Sequence, residues 1–135
     1  MKLITRNTDY AIGALLYLAK KKKNKVCASE LVRELNIPEA FLRGLLQHLS
    51  KNSILESHKG KGGGFMLKVA PDKIRIADLV KIFQGSLEIV DCTFKKDICP
   101  NRSHCMLRSR IKEIEGRLVR QLESITIASL LKGKA

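Results

Sequence analysis

The chain has 135 residues, the common size of one domain and too few for two independent cores. Lys and Arg number 26 against 13 Asp and Glu, and a formal charge of +13 exceeds what solubility requires, so an anionic partner is expected, nucleic acid first. No apolar stretch approaches the roughly 18 residues of a spanning helix, and Met1 to Lys25 lacks the features of a secretory signal, so the expectation is a cytoplasmic protein with no membrane partner.

Thr8 or Thr5 can cap a first helix whose apolar positions Ile12, Leu15, Leu16 and Ala19 recur at helical spacing, and Lys20 to Lys25 ends it as a solvated loop. Ser29 or Ala28 opens a short helix through Leu35, with Leu31, Val32 and Leu35 inward. Asn36-Ile37-Pro38 breaks it, because a residue before proline avoids the helical region, and Pro38 suits the first position of the next helix. That helix carries Phe41, Leu42, Leu45, Leu46 and Leu49 on one stripe and Glu39, Arg43, Gln47 and Lys51 on another. Two helices so joined, the second with a polar outer face, predict a helix-turn-helix.

Ile54 to His58 reads as a strand, Gly60-Lys61-Gly62-Gly63-Gly64 as a turn, and Phe65, Leu67 and Val69 alternate with Met66 and Lys68. A basic hairpin after a helix-turn-helix is a wing. Its tip, flanked by His58, Lys59 and Lys61, suits phosphates or the minor groove while the preceding helix occupies the major groove. The glycine run is not followed by the Lys-Ser or Lys-Thr of a nucleotide loop. With no acid-base constellation either, no enzyme is expected. Ile74 to Gln84 reads as strand then helix, closed by Gly85. After Cys105 comes a long helix in which Leu107, Ile111, Ile114, Leu118, Leu122 and Ile125 form a near-heptad seam that wants a partner helix.

Three of the four cysteines, Cys92, Cys99 and Cys105, crowd into fourteen residues with six and then five residues between them. Thiolates are soft donors suited to iron-sulfur clusters, zinc or copper(I). Zinc sites usually pair ligands two to four residues apart, so this spacing favours a bulkier cluster, with zinc and a redox disulfide as alternatives. Adjacency to Cys105 counts against His104 as a fourth ligand; Asp9, near the start of the first helix, is another candidate, reaching from a partner subunit. Cys27, between Val26 and Ala28, reads as a buried small hydrophobe.

The stretches MKLITRNTDYAIGALLYLA, IPEAFLRGLLQHLSKNSILESHKGKGGGFML and IRIADLVKIFQGSLEIVDC, followed by the three-cysteine loop and the long helix, resemble the IscR and NsrR family of bacterial winged-helix regulators over nearly the whole chain. The resemblance implies a homodimer on a palindromic double-stranded operator, each cluster lying between one subunit's loop and the other's first helix. Cys92, Cys99 and Cys105 match the three cysteine ligands, and Asp9 matches the cross-subunit aspartate of NsrR-type members. The histidine ligand of IscR-type members falls at Arg108, so a four-iron, four-sulfur cluster of NsrR type is the better match, with a two-iron, two-sulfur cluster second. The wing's usual Arg and Pro stand as Lys59 and Lys61, and lysine does not copy a bidentate guanidinium, which implies a different operator.

The expected fold is mainly α with a small β-hairpin wing: a winged helix-turn-helix over 1–85, a cysteine loop over 86–106, and a dimerisation helix with its tail over 107–135. The expected function is a DNA-binding repressor that senses redox state, nitric oxide or iron-sulfur status. A zinc-stabilised or thiol-redox regulator is the alternative. Base contacts are expected from Glu39, Arg43, Gln47 and Lys51, and wing contacts from His58, Lys59 and Lys61.

Overall fold

A computed structural model describes residues 3–21, 24–87 and 106–133 of the chain. In chain order it contains α1 (Arg6–Lys20), α2 (Ala28–Leu35), α3 (Glu39–Lys51), β1 (Leu55–His58), β2 (Gly64–Leu67), a 3-10 turn (Pro71–Lys73), α4 (Ile76–Gln84), α5 (Met106–Ser124) and α6 (Ile127–Leu131). The fold is mainly helical with one antiparallel hairpin, as the sequence predicts. No helix among the described residues is long and apolar enough to cross a membrane.

Thr5, not Thr8, caps α1: its side chain accepts from the Thr8 amide, and Thr8 itself is fully buried. A β-region cap with its oxygen on an orphan N–H is the favoured helix start. Helix α2 ends where Asn36 turns left-handed (φ 55°, ψ 45°), a conformation Asn tolerates better than most residues. Ile37 is buried in the turn. Pro38 stands one position earlier than the sequence suggests, as the cap of α3 rather than its first residue.

The core sits between α1, α3 and α4. Leu15, Leu31, Leu42, Leu46, Leu49, Leu79 and Ile127 are almost completely excluded from solvent. Burying each contributes about 1.5–3 kcal/mol, which makes this cluster the main support of the fold. Phe41 departs from the expected inner stripe: it is 40% exposed at the edge of α3, its ring edge-to-face against Tyr10 with centroids 5.6 Å apart.

The hairpin pairs Leu55 with Leu67 and His58 with Gly64. A third element joins it, because Val26 and Phe65 exchange backbone hydrogen bonds of 2.9 and 2.8 Å. That one-residue bridge explains part of the glycine run. A Cβ on Gly64, whose φ is +152°, would stand 2.6 Å from the Val26 carbonyl oxygen, and one on Gly63 would collide with the His58 carbonyl. The glycines are therefore demanded by turn and strand packing.

The strand expected from Ile74 is a single bridge. Arg75 pairs with Thr126, the Ile76 amide donates to Ile125 (2.8 Å) and the Ile127 amide to Ile74 (3.0 Å). Gly85 has the expected positive φ of 79°, but its ψ of −160° is extended rather than left-handed helical. Helix α5 stops at Ser124, so the seam's last member, Ile125, lies in the connection to α6. Thr126 and Ser129 form a reciprocal capping box that starts α6. Leu122 and Ile127 then enter the core beside α1 and α4.

Candidate nucleic-acid interface

The outer face of α3 carries the residues predicted to read DNA. Glu39, Arg43, Gln47 and Lys51 are all exposed, because the opposite face is fixed in the core by Leu42, Leu46 and Leu49. Arg43 donates from Nε (3.0 Å) and Nη2 (2.9 Å) to the same Glu39 oxygen. The pair lies at (i, i+4) and is more than half exposed on both sides, so it is worth only about 0.3–0.5 kcal/mol. A bidentate contact to guanine is worth about 1–3 kcal/mol, so this pair is too weak to hold Arg43 back from a stronger acceptor. Gln47 and Lys51 have no side-chain partner among the described residues.

The wing is docked on the end of α3 through the Ile54 amide, which donates to Leu49 (3.1 Å), and the Lys68 amide, which donates to Ile54 (2.9 Å). Lys59 and Lys61 are exposed at its tip. His58 ends β1 beside the turn, paired with Gly64, and is only half-buried as a residue, yet its Nε2 is itself shielded and has no hydrogen bond; a Glu56 oxygen lies 3.5 Å away.

Helix α1 is clasped to α2. The Tyr17 hydroxyl donates to Glu30 (2.5 Å), and Lys21 lies 3.8 Å from the same carboxylate and over the Tyr17 ring. The bond to Glu30 holds the phenol's proton and raises its pKa above the ordinary value. Cys27 corrects the expectation of burial. It is the exposed N-cap of α2, and the Ser29 hydroxyl 3.1 Å from its sulfur holds its thiol pKa below the ordinary value.

Of the predicted cluster ligands, Cys92, Cys99 and Cys105 lie outside the described residues, as does His104. Asp9 is described: it is exposed in the first turn of α1, and its carboxylate has no partner among the described residues. No group of three metal-binding side chains occurs among the described residues. Sequence reasoning passed over Gln84 at the end of α4. Its Oε1 accepts from the Thr5 amide (3.0 Å) and the Thr8 hydroxyl (2.6 Å), and its Nε2 donates to the Leu3 carbonyl (3.1 Å). These partners are 76 to 81 residues away, so no local pattern announces them.

The family model described as Rrf2, an iron-dependent transcriptional regulator, matches residues 4–133. The chain belongs to the Rrf2 family. It is 33% identical over 130 residues to the transcriptional regulator NsrR of Halalkalibacterium halodurans, covering 95% of this chain and 89% of that one. It is 25% identical over 130 residues to the transcriptional repressor NsrR of Streptomyces coelicolor, covering 95% and 87%. In fold it is similar to T. potens IscR (TM-score 0.77, 22% identity, 98% and 88% covered) and to CymR, the global cysteine regulator of B. subtilis (TM-score 0.72, 22% identity, all of both chains covered). As an Rrf2-type protein the chain is a DNA-binding transcriptional regulator and not an enzyme.

Proposed function

We propose that the chain is a cytoplasmic, homodimeric repressor whose affinity for a palindromic operator is set by an iron-sulfur cluster, held by Cys92, Cys99 and Cys105 of one subunit and Asp9 of the other. The observation that carries the reading is Asp9. A carboxylate is held in the open at the start of α1 with no partner among the described residues, in a chain that also bears three closely spaced soft donors. Three thiolates and one carboxylate suit a four-iron cluster with one harder, more labile corner. A two-iron cluster is the second choice. The one-third identity to an NsrR regulator supports the same pattern.

When bound, the cluster supplies iron that reacts with nitric oxide or oxygen. The protein's part is mechanical. Residues 86–106 and the first turn of α1 would be tied together across the subunits, and release of that tie would change how the α5 helices hold the two heads apart. Each head would place α3 in a major groove and His58, Lys59 and Lys61 of the wing tip beside it, with Lys20 to Lys25 near phosphates.

Anaerobic purification with iron, sulfide and absorbance measurements tests the reading. Wild type is expected to be brown, Cys99→Ala and Cys105→Ala colourless, and Asp9→Ala altered in spectrum or stability with the fold intact, whereas His104→Ala changes nothing. A colourless wild type with stoichiometric zinc would establish the zinc-stabilised alternative, and a colourless metal-free protein whose DNA affinity follows oxidant would establish the thiol-redox one.

A further inference from the structure

We propose that Gln84 is a positioning residue for Asp9: it locks the first turn of α1, and with it the Asp9 carboxylate, to the end of α4 from which the chain runs on to its cysteines. The inference rests on the proposed function for what Asp9 binds. The lock itself stands on hydrogen bonds.

The orientation of the Gln84 amide is determined by its partners. The Thr5 N–H can only donate and the Leu3 carbonyl can only accept, so Oε1 must face the former and Nε2 the latter. The Thr8 hydroxyl makes the shortest bond of the set, 2.6 Å to Oε1, and so directs its only proton there. Its oxygen is then left to accept from the Thr5 hydroxyl 3.2 Å away, while the Thr5 oxygen accepts from the Thr8 amide (3.4 Å). The Thr5 hydroxyl also lies 3.3 Å from Oε1. Thr8 is fully buried with Gln84 in place, so its hydroxyl depends on that acceptor rather than on solvent.

The lock continues into Asp9. The Asp9 amide donates to the Thr5 carbonyl at 2.9 Å, so Thr5 is gripped at its amide by Gln84 and grips Asp9 with its carbonyl. One side chain thus sets the axial and rotational position of the turn that carries the proposed ligand. Gln84 is the last residue of α4, and the stretch leading to Cys92 follows it. A residue that only filled space would not need both amide atoms engaged.

Two measurements on the full-length protein separate this inference from the cluster reading. In cluster-free protein, Gln84→Ala is expected to speed hydrogen exchange at the Asp9 amide about tenfold relative to Leu15 and Leu18, the factor corresponding to loss of about one buried hydrogen bond. Gln84→Glu keeps an acceptor for the Thr5 amide and the Thr8 hydroxyl but loses the donor to the Leu3 carbonyl, so it is expected to restore protection only in part; Thr8→Val is expected to mimic Gln84→Ala. In anaerobically reconstituted protein, Gln84→Ala is expected to speed iron release to a chelator, and to add nothing in an Asp9→Ala background. Unchanged Asp9 exchange, or exchange raised evenly along α1, overturns the lock. Normal iron release in Gln84→Ala beside fast release in Asp9→Ala overturns the positioning role. A wild type that takes up no cluster overturns the proposed function, and the exchange comparison then decides the lock alone.

Discussion

Helices α1 and α3 and helix α5 carry the same kind of apolar spacing with different outcomes. In α1 the recurring positions Ala11, Ala14, Leu15 and Leu18 are buried, and in α3 so are Leu42, Leu45, Leu46 and Leu49. In α5 the seam begins with Leu107 at 70% exposure and passes Ile114 at 47%, and Leu122 is its first buried member. Met106 and Val119 are exposed as well. The spacing alone thus specifies a stripe, and what covers the stripe is a separate matter. The head covers its stripes with its own helices, whereas the first turns of α5 present theirs outward. A second copy of α5 is the occupant the proposed homodimer supplies.

The largest expected effect tests this division directly. Leu46→Ala, in the fully buried stripe of α3, is expected to lower the free energy of unfolding by about 2–5 kcal/mol in a denaturant titration, through lost transfer energy and a cavity that closes only in part. Leu107→Asp is expected to leave the unfolding of dilute, monomeric protein within about 0.5 kcal/mol of wild type. The same substitution should shift sedimentation from dimer to monomer. Comparable destabilisation of the monomer by both substitutions would mean that α5 is part of the head's core along its whole length.

Much of the head could be read from the sequence because its signals are local. The period of α1 and α3, the Asn36-Ile37-Pro38 break and the glycine turn of the wing each lie within a few residues of what they determine. What was missed depends on distant partners or on a register of one position. Cys27 sits among apolar neighbours, yet as the N-cap of α2 it faces outward. Phe41 falls on the right stripe but at its edge, where Tyr10 meets it. Val26 is a strand of one residue, visible only through its bonds to Phe65. Ile125 continues the seam by arithmetic alone, for α5 ends at Ser124 and the capping box of Thr126 and Ser129 starts a new helix just after it. Of the candidate site, the exposed face of α3 and the basic hairpin were legible as structure from spacing and charge, whereas Asp9 drew its weight from family resemblance and Gln84 gave no signal.

A smaller effect sharpens the comparison on DNA. Arg43→Ala is expected to weaken binding to the operator by about 1–3 kcal/mol and to relax sequence preference, while leaving binding to random duplex near that of wild type. Lys61→Ala is expected to weaken both duplexes alike and to reduce the slope of log affinity against log salt by about one. Both substitutions act within each half-site, so a half-site duplex should report them in full. Leu107→Asp should instead spare the half-site and lose the palindrome's advantage. Equal losses on specific and random DNA for Arg43→Ala would remove it from base readout.

The smallest effect concerns where the head ends. Thr126 follows α5 in sequence, but its backbone bridges Arg75 and its side chain accepts from the Ser129 amide at 3.1 Å. The helix it caps contributes Ile127, fully buried, to the cluster around α1 and α4. If the head recruits this tail, Thr126→Ala should lower the stability of monomeric protein by about 0.5–2 kcal/mol, the usual cost of a lost N-cap, and Thr126→Ser should recover most of it. The dimer's dissociation constant should not move, because the exposed part of the seam lies at the other end of α5. The check is to introduce both substitutions into a Leu107→Asp background and to unfold them beside that parent, so that subunit exchange plays no part. No change in unfolding would place α6 outside the cooperative unit, whereas a change confined to the dimer would assign the tail to the α5 side of the comparison.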